Sequence, residues 1–272
     1  MFEFLRNTIG FYSLIAIIGL LSVLVVLFIF AKKRGLPGWQ PLTMVLFAMA
    51  GLLVGSHLLY FIVGLPDWIP NYAGRIHSFS DLIVALGYGA SGMVFYGGLF
   101  GAYLGIIVFC KIYKFSPLPE LNMATVVFPL FHFFGRLGCW LNGCCYGIEY
   151  HGPLAVHYDS SYIVEGISDD IADFPRFPVQ VLEAVLELAL FIFLIILYKK
   201  AKDKYSLTSI YLLLYSVIRF LDEFLRGDAI RKIWGPFSTS QWISLFVFAG
   251  VLIYLFIKQK KTPGKKFFEC SF

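Results

Sequence analysis

Long runs of apolar residues dominate the chain and alternate with shorter polar connections. Each run reaches the roughly 17 to 25 residues that an α-helix needs to cross a bilayer. The run 82–110 is rich in glycine, which indicates either close helix packing or a break near the middle of the bilayer. The predicted spans are 11–31, 41–63, 82–110, 121–141, 177–198, 206–225 and 238–257. This pattern predicts an all-α integral membrane protein with about seven transmembrane helices.

The connection 143–176, between the fourth and fifth predicted spans, is long, polar and acidic. Its acidic residues are Glu149, Asp159, Glu165, Asp169, Asp170 and Asp173. We predict that it forms a small extracytoplasmic head. The rest of the pattern shows no linker, so we predict a single polytopic membrane domain over residues 1–272, with this head as an insertion.

Lysine and arginine cluster at alternate connections, which is typical of the cytoplasmic side of a membrane protein. The clusters are Lys32, Lys33 and Arg34; Lys111 and Lys114; Lys199, Lys200, Lys202 and Lys204; and the tail from Lys258 to Lys266. They predict a multi-pass membrane protein, which the resemblance described below assigns to the bacterial cytoplasmic (inner) membrane. Its N-terminus and head would lie outside and its C-terminus in the cytoplasm. Arg231 and Lys232 are the exception to this pattern.

Composition supports the membrane class and excludes others. The chain has 272 residues, of which 59% are hydrophobic and only 14% are charged, whereas soluble domains carry about 25% charged residues. The net charge of +5 comes from short clusters beside apolar runs. We therefore predict the lipid bilayer as a partner and no nucleic acid.

Two predicted spans carry ionisable side chains at helical spacing. They are His132 and Arg136 in the fourth span, and Tyr215, Arg219, Glu223 and Arg226 in the sixth. Within each span these side chains share one helix face. A charged side chain at the bilayer centre costs about 2.5–3.5 kcal/mol on insertion scales, so such residues indicate a functional site.

The buried arginines have two interpretations. Arg219 and Glu223 alone fit an internal ion pair that fixes the bundle. Arg136 has no carboxylate of its own nearby in the sequence, which predicts a surplus of positive charge that a bound anion neutralises. Arginine recognises phosphate with paired hydrogen bonds, and a membrane offers phosphate as a phospholipid headgroup. The sequence favours a phospholipid site over a purely structural network.

Three cysteines near His132 also have several interpretations. The spacing of Cys139, Cys144 and Cys145 differs from the common zinc pattern Cys-x2-Cys, so we predict no metal and no cofactor. A redox thiol pair is a second interpretation, although neighbours such as Cys144 and Cys145 form only a strained disulfide. Packing of small side chains is the third, and the sequence favours it for at least one of the three.

Motifs spread over the chain resemble those of bacterial phosphatidylglycerol–prolipoprotein diacylglyceryl transferases. The motif Gly-Arg-x-Gly-x-x-x-Asn-Gly is formed by Gly135, Arg136, Gly138, Asn142 and Gly143, with Gly147 after it. The late-span motif Tyr-x3-Arg-x3-Glu-x2-Arg is formed by Tyr215, Arg219, Glu223 and Arg226. The remaining matches are Tyr12, the Gly97-Gly98-Leu99 turn, and Pro178, Gln180 and Glu183. Their order extends the resemblance over nearly the whole chain.

The resemblance implies a transferase that moves the diacylglyceryl group of phosphatidylglycerol to the lipobox cysteine thiol of a prolipoprotein signal peptide, releasing glycerol phosphate. It implies that Arg136 and Arg219 hold the phosphate and that Glu223 orients Arg219. It implies lipid- or substrate-binding roles for Tyr12, Gly97, Gly98, Cys139, Asn142, Gly143, Cys144, Gly147, Glu183, Tyr215 and Arg226.

The chain departs from the family pattern where the acceptor thiol would be activated. The histidine that precedes the Gly-Gly turn is Tyr96 here, the asparagine and glutamate of the signature are Cys139 and Cys144, and a basic residue of the second span is His57. These changes leave the identity of the general base open. We favour His132, with Tyr96 as a hydrogen-bond donor or Cys144 as a nucleophile as alternatives.

Two alternative functions stay open at the level of the sequence. One is a related phospholipid-using transferase with a different acceptor. The other is a membrane thiol-redox protein that uses the three cysteines.

Overall fold

The computed structural model describes residues 10–72, 76–89, 91–158, 174–201, 205–227, 233–261 and 268–269. Its helices are α1 (Phe11–Lys33), α2 (Gln40–Tyr72), α3 (Phe79–Gly89), α4 (Phe95–Tyr113), α5 (Pro117–Asn142), α6 (Val179–Ala201), α7 (Leu207–Asp222) and α8 (Thr239–Lys261). A 3-10 turn, Glu223–Leu225, follows α7. A short antiparallel pair, β1 (Ile233–Trp234) and β2 (Phe237–Ser238), precedes α8.

Helices α1, α2, α4, α5, α6 and α8 each contain a segment long and apolar enough to cross a membrane. This confirms the predicted all-α integral membrane class. Helix α7, predicted as a further span, has 16 residues, so the total of seven spans stays a prediction. The predicted continuous span 82–110 is wrong, because its residues are divided between α3 and α4. The glycine-rich sequence had indicated such a break as one alternative.

The chain divides into two compact units, one of Met1–Phe30 with Asn122–Phe272 and the other of Ala31–Leu121. Within the smaller unit, glycines bring α2 and α4 into backbone contact. A Cβ atom on Gly97 would overlap the carbonyl oxygen of Gly55, and one on Gly101 would overlap that of Gly51. Small residues permit this close approach of membrane helices, so the glycines predicted for tight packing have that role here.

Helix α3 in the same unit begins with a capping box. The Ser78 hydroxyl accepts a hydrogen bond from the Asp81 backbone N–H at 3.2 Å, and the Asp81 carboxylate accepts one from the Ser78 N–H at 2.9 Å. Hydrogen bonding to Ser78 and to the His77 backbone N–H lowers the pKa of Asp81. The reciprocal bonds satisfy two donors at the helix start.

In the larger unit, the segment after α5 is joined to the end of α7 by backbone hydrogen bonds. Ile148 N–H donates to Leu225 O at 3.0 Å, and Gly227 N–H donates to Tyr146 O at 3.0 Å. Gly147 lies so close to Phe177 that a Cβ atom would overlap the Phe177 carbonyl oxygen. The glycine is therefore required where three segments meet.

The predicted head 143–176 is described only in part. Backbone hydrogen bonds pair Val156 with Arg176 in both directions at 2.9 Å, and the Arg176 guanidinium lies 4.9 Å from the centre of the Tyr146 ring. Glu149 forms an exposed pair with His151 at 2.9 Å. The predicted acidic residues Asp159, Glu165, Asp169, Asp170 and Asp173 lie outside the described residues.

We predict that Gly101→Ala lowers the stability of the protein, because its Cβ would overlap the Gly51 carbonyl and overpacking costs about 1–3 kcal/mol. Thermal unfolding in detergent measures the change. The matched control is Gly64→Ala in α2, where a Cβ meets no atom within 4 Å. Equal melting temperatures for the two variants would contradict the packing argument.

Candidate active site

Arg136 is buried at the end of α5 and pairs with Glu183 in the first turns of α6. Its Nη2 lies 2.7 Å from Glu183 Oε1, and both side chains are less than a tenth exposed. The expectation that Arg136 lacks a nearby carboxylate is therefore wrong. The partner comes from the next helix, 47 positions along the chain, which spacing along one span does not reveal.

His132 lies one helical turn before Arg136, between two carboxylates of α6. Its Nε2 is 3.5 Å from Glu183 Oε1 and its Nδ1 is 3.1 Å from Glu187 Oε1. Both ring nitrogens thus face protein carboxylates. This arrangement makes His132 a link between Glu183 and Glu187.

The second arginine, Arg219 of α7, pairs with the glutamate one turn later. Its Nη2 lies 2.6 Å from Glu223 Oε2 and 3.3 Å from the Ser240 hydroxyl. The predicted pair is confirmed, and both side chains are buried. Arg226, predicted on the same face, is also buried, but it follows the 3-10 turn in extended conformation.

Acidic and basic side chains are equal in number in this interior. In the described part of the larger unit, the buried arginines are Arg136, Arg176, Arg219 and Arg226, and the buried acids are Glu183, Glu187, Asp222 and Glu223. Burial favours the neutral form of a carboxyl group, so equal numbers do not fix the net charge, and the surplus of positive charge stays a prediction. An anion site here must be argued from geometry instead of from net charge.

The glutamates leave part of each guanidinium unused. Arg136 Nε and Arg219 Nη1 are buried and have no hydrogen-bond partner within the described ranges. Glu183, the partner of Arg136, also lies within electrostatic range of Arg219. Buried donors without partners are rare in proteins and destabilising, so these two groups are available to bind an oxygen acceptor of a ligand.

Aromatic side chains flank the charged groups. The Tyr215 ring lies 5.6 Å from His132, edge to face, and 5.6 Å from Tyr211, stacked. Tyr12 of α1 lies against Gly138, where a Cβ atom would be 3.0 Å from the ring. Tyr12 is 44% exposed, which is suited to a boundary between a polar site and acyl chains.

The three signature cysteines lie at the end of α5, and their Sγ atoms are all within 4.8 Å of one another. Asn142 ends the helix, and Gly143 follows with a φ of +71°. The Cys144 N–H donates to the Cys139 carbonyl at 3.1 Å. The chain thus folds back and places all three thiols together.

Gln180 of α6 holds this turn in place. Its Nε2 donates to the Cys144 carbonyl at 2.9 Å and to the Tyr158 hydroxyl oxygen at 3.1 Å. Burial raises the pKa of Tyr158 to about 12. The hydroxyl therefore stays protonated at neutral pH, and its oxygen accepts the bond from Gln180.

Tyr96, Gly97 and Gly98 belong to the smaller unit. The predicted tight turn at these residues is wrong, because they form the first turn of α4, and Tyr96 is buried there against Phe100. His57 Nδ1 lies 3.0 Å from the Gly92 carbonyl oxygen, within the same unit.

Comparison with known proteins decides the family. The sequence profile described as prolipoprotein diacylglyceryl transferase matches residues 1–257. This chain belongs to the prolipoprotein diacylglyceryl transferase family. Membership confirms the predicted resemblance and the predicted class, a multi-pass membrane transferase.

Individual diacylglyceryl transferases match along most of their length. The phosphatidylglycerol–prolipoprotein diacylglyceryl transferase of Clostridium tetani is 29% identical over 93% of this chain and 95% of its own. The Clostridium perfringens enzyme named phosphatidylglycerol–prolipoprotein diacylglyceryl transferase 2 is 31% identical over 82% of this chain and 81% of its own. The phosphatidylglycerol–prolipoprotein diacylglyceryl transferase of Campylobacter curvus is 30% identical over 93% of this chain and 91% of its own.

Sequence reasoning missed three buried charged residues of this transferase. Glu187 follows Glu183 by one helical turn, and that spacing within an apolar span was a usable signal. Asp222 precedes Glu223 and lies next to the Glu183 carboxyl group. Arg176 gave no signal, because it lies in a connection where arginine is ordinary.

We predict that Glu183→Gln destabilises the protein, because it leaves Arg136 and His132 without their shared carboxylate. Breaking a buried pair from one side costs about 3–5 kcal/mol. Thermal unfolding in detergent measures the loss. Glu149→Gln is the control, since that pair is exposed and exposed pairs contribute about 0–1 kcal/mol. A Glu183→Gln protein as stable as the control would contradict a structural role for the pair.

Proposed function

We propose that this chain transfers the diacylglyceryl group of phosphatidylglycerol to the lipobox cysteine of a prolipoprotein signal peptide, releasing glycerol phosphate. Family membership and the names of the similar enzymes support this reaction. The structural observation that carries it is the pair of unused donors, Arg136 Nε and Arg219 Nη1. A phosphate diester offers the oxygen acceptors that these two groups lack.

The arginines act on the leaving group. The acceptor sulfur attacks the glyceryl carbon, the C–O bond breaks, and its electron pair passes to a phosphate oxygen. Charge on the phosphate increases as this bond breaks, so hydrogen bonds from Arg136 and Arg219 are stronger in the transition state than in the bound lipid. In a site shielded from water such donors are each worth about 10²–10³ in rate.

The glutamates position these arginines. Glu183 binds Nη2 of Arg136, and Glu223 binds Nη2 of Arg219. Each guanidinium group therefore has a fixed orientation before the lipid binds. Such fixed donors need no reorganisation during the reaction. The two ion pairs also keep the buried arginines tolerable in the membrane before the lipid binds.

The acceptor side of the reaction differs from our favoured interpretation of the sequence. Both nitrogens of His132 face glutamates, which favours a positioning role for His132 over the role of general base. Tyr12 and Tyr215 are suited to contact the lipid next to the phosphate. Activation of the acceptor thiol then requires another group.

We also propose the orientation predicted from the positive clusters. The N-terminus and the connection 143–176 would face outward, and the C-terminus would lie in the cytoplasm. The supporting feature is the accumulation of lysine in the last turns of α1, α6 and α8. All three ends lie on the side predicted to be cytoplasmic.

We predict that Arg136→Lys and Arg219→Lys each lower the transfer rate by about 10²-fold or more, because lysine keeps the charge but loses the planar donor fork. The assay uses purified protein, phosphatidylglycerol in mixed micelles, and a lipobox peptide, with the lipidated peptide quantified by mass spectrometry. Arg34→Lys is the control, since Arg34 pairs with Glu120 in the smaller unit.

Two results would contradict the proposal. One is that Arg136→Lys and Arg219→Lys both transfer the diacylglyceryl group at the rate of the wild-type protein. The other is an absence of transfer by the folded wild-type protein together with thiol oxidation that persists in the arginine variants, which would favour a thiol-redox protein.

A further inference from the structure

The three cysteines at the end of α5 form a thiol cluster that no step above uses. Cys139, Cys144 and Cys145 come from a stretch of seven residues, yet their Sγ atoms all lie within 4.8 Å of one another. A disulfide would join two of them and leave the third. Three thiols within 4.8 Å of one another are close enough to share one cation.

The backbone adopts unusual conformations to make this cluster. Gly143 has a φ of +71° and Cys145 a φ of +56°. The left-handed region costs a residue other than glycine about 1–2 kcal/mol, so the surrounding structure must hold Cys145 there. Such strain is found mainly at functional sites. The hydrogen bond from Gln180 to the Cys144 carbonyl helps to fix the turn.

We infer that Cys139, Cys144 and Cys145 bind one zinc ion, and that the fourth coordination position receives the acceptor thiol. The acceptor part of this inference rests on the proposed function. A site with three protein ligands and one open position is the usual form of a reactive zinc centre, whereas four protein ligands close a structural one. The spacing of the cysteines along the sequence predicts no metal, whereas the distances between their Sγ atoms in the folded turn support a metal site.

The geometry needs only a small adjustment. Zinc–sulfur bonds of about 2.3 Å in a tetrahedron place sulfur atoms about 3.8 Å apart. The three Sγ atoms lie within 4.8 Å of one another. Side-chain rotations that shorten these distances by about 1 Å would bring the sulfur atoms to the separation found around zinc. All three cysteine residues are partly exposed, as a site that admits a fourth ligand requires.

The local charge also fits. Three thiolates and one zinc ion carry a net charge of −1, and a bound acceptor thiolate makes it −2. Arg136 and Arg226 lie within electrostatic range of Cys145. The same Arg136 belongs to the phosphate site, so a thiolate on the metal would be held next to the lipid that it attacks.

This site would replace the missing base. Coordination deprotonates a thiol, so the acceptor S–H loses its proton when sulfur binds zinc. The sulfur lone pair then forms the S–C bond to the glyceryl carbon, and the C–O electron pair leaves with the phosphate. The thiol proton would be released to water on coordination, the phosphate monoester would leave as the dianion, and the neutral thioether product would leave the metal.

The first test is the binding of zinc by the full-length protein in detergent. We expect about one zinc per chain by elemental mass spectrometry, and competition with a chelator should show that Cys139→Ser, Cys144→Ser and Cys145→Ser each weaken binding by more than about tenfold. Cys110→Ser, a buried cysteine of the smaller unit, is the matched control. Size-exclusion profiles establish which variants are folded.

The second test follows the acceptor directly by replacing zinc with cobalt. Co²⁺ bound by the three thiolates gives sulfur-to-cobalt charge-transfer bands, and a lipobox peptide should increase them as a fourth sulfur binds. The same peptide with serine in place of cysteine should leave the spectrum unchanged. Because these spectra need no folded mutant, the test holds even if the cysteine variants fail to fold.

The outcomes separate this inference from the proposed function. Failure to bind zinc or cobalt, equal binding by the folded cysteine variants, a disulfide within the cluster of the active protein, or full transfer after metal removal would each overturn the inference and leave the transferase intact. A spectrum that does not respond to the thiol peptide would overturn the acceptor role. Metal and thiol binding without transfer from phosphatidylglycerol would support the site and contradict the proposed function.

Discussion

The structure of the larger unit depends on charges that are buried in pairs. The Arg136–Glu183 pair joins α5 to α6. The Arg219–Glu223 pair fixes the end of α7. An unpaired arginine in a membrane is expensive, so the glutamates are a condition for placing guanidinium groups there at all. Since each glutamate occupies only part of its arginine, the pairing that makes the fold tolerable also leaves donors for a substrate.

The donor and acceptor halves of the site follow different chemistry. On the donor side, we propose that fixed hydrogen-bond donors bind a phosphate, and the residues Arg136, Arg219 and Glu223 match the motifs of the family. In the motif that follows Arg136, cysteines replace the asparagine and glutamate of the family pattern. This change is consistent with the inference that a metal ion on the thiol cluster would make the acceptor thiolate.

Much of the fold could be predicted from the sequence because the membrane restricts the choices. Apolar runs located most helices to within a few residues, and helical spacing correctly joined Arg219 to Glu223. Several of the failures concern contacts between distant segments. Nothing in the order of residues pairs Arg136 with Glu183. The sequence Tyr96-Gly97-Gly98 resembles a turn, but it is helical because its glycines pack against α2. The cluster of Cys139, Cys144 and Cys145 arises from two left-handed residues after α5, which spacing rules for metal sites do not include.

The central claim is that buried arginines stabilise a phosphate that departs by cleavage of the glyceryl C–O bond. The most direct measurement uses phosphatidylglycerol carrying ¹⁸O at the oxygen that joins the diacylglyceryl group to phosphorus, with a lipobox peptide as acceptor. The account predicts that all of the label appears in the released glycerol phosphate and that the peptide gains a diacylglyceryl thioether. Label retained in free diacylglycerol would show cleavage of the P–O bond and would contradict the account.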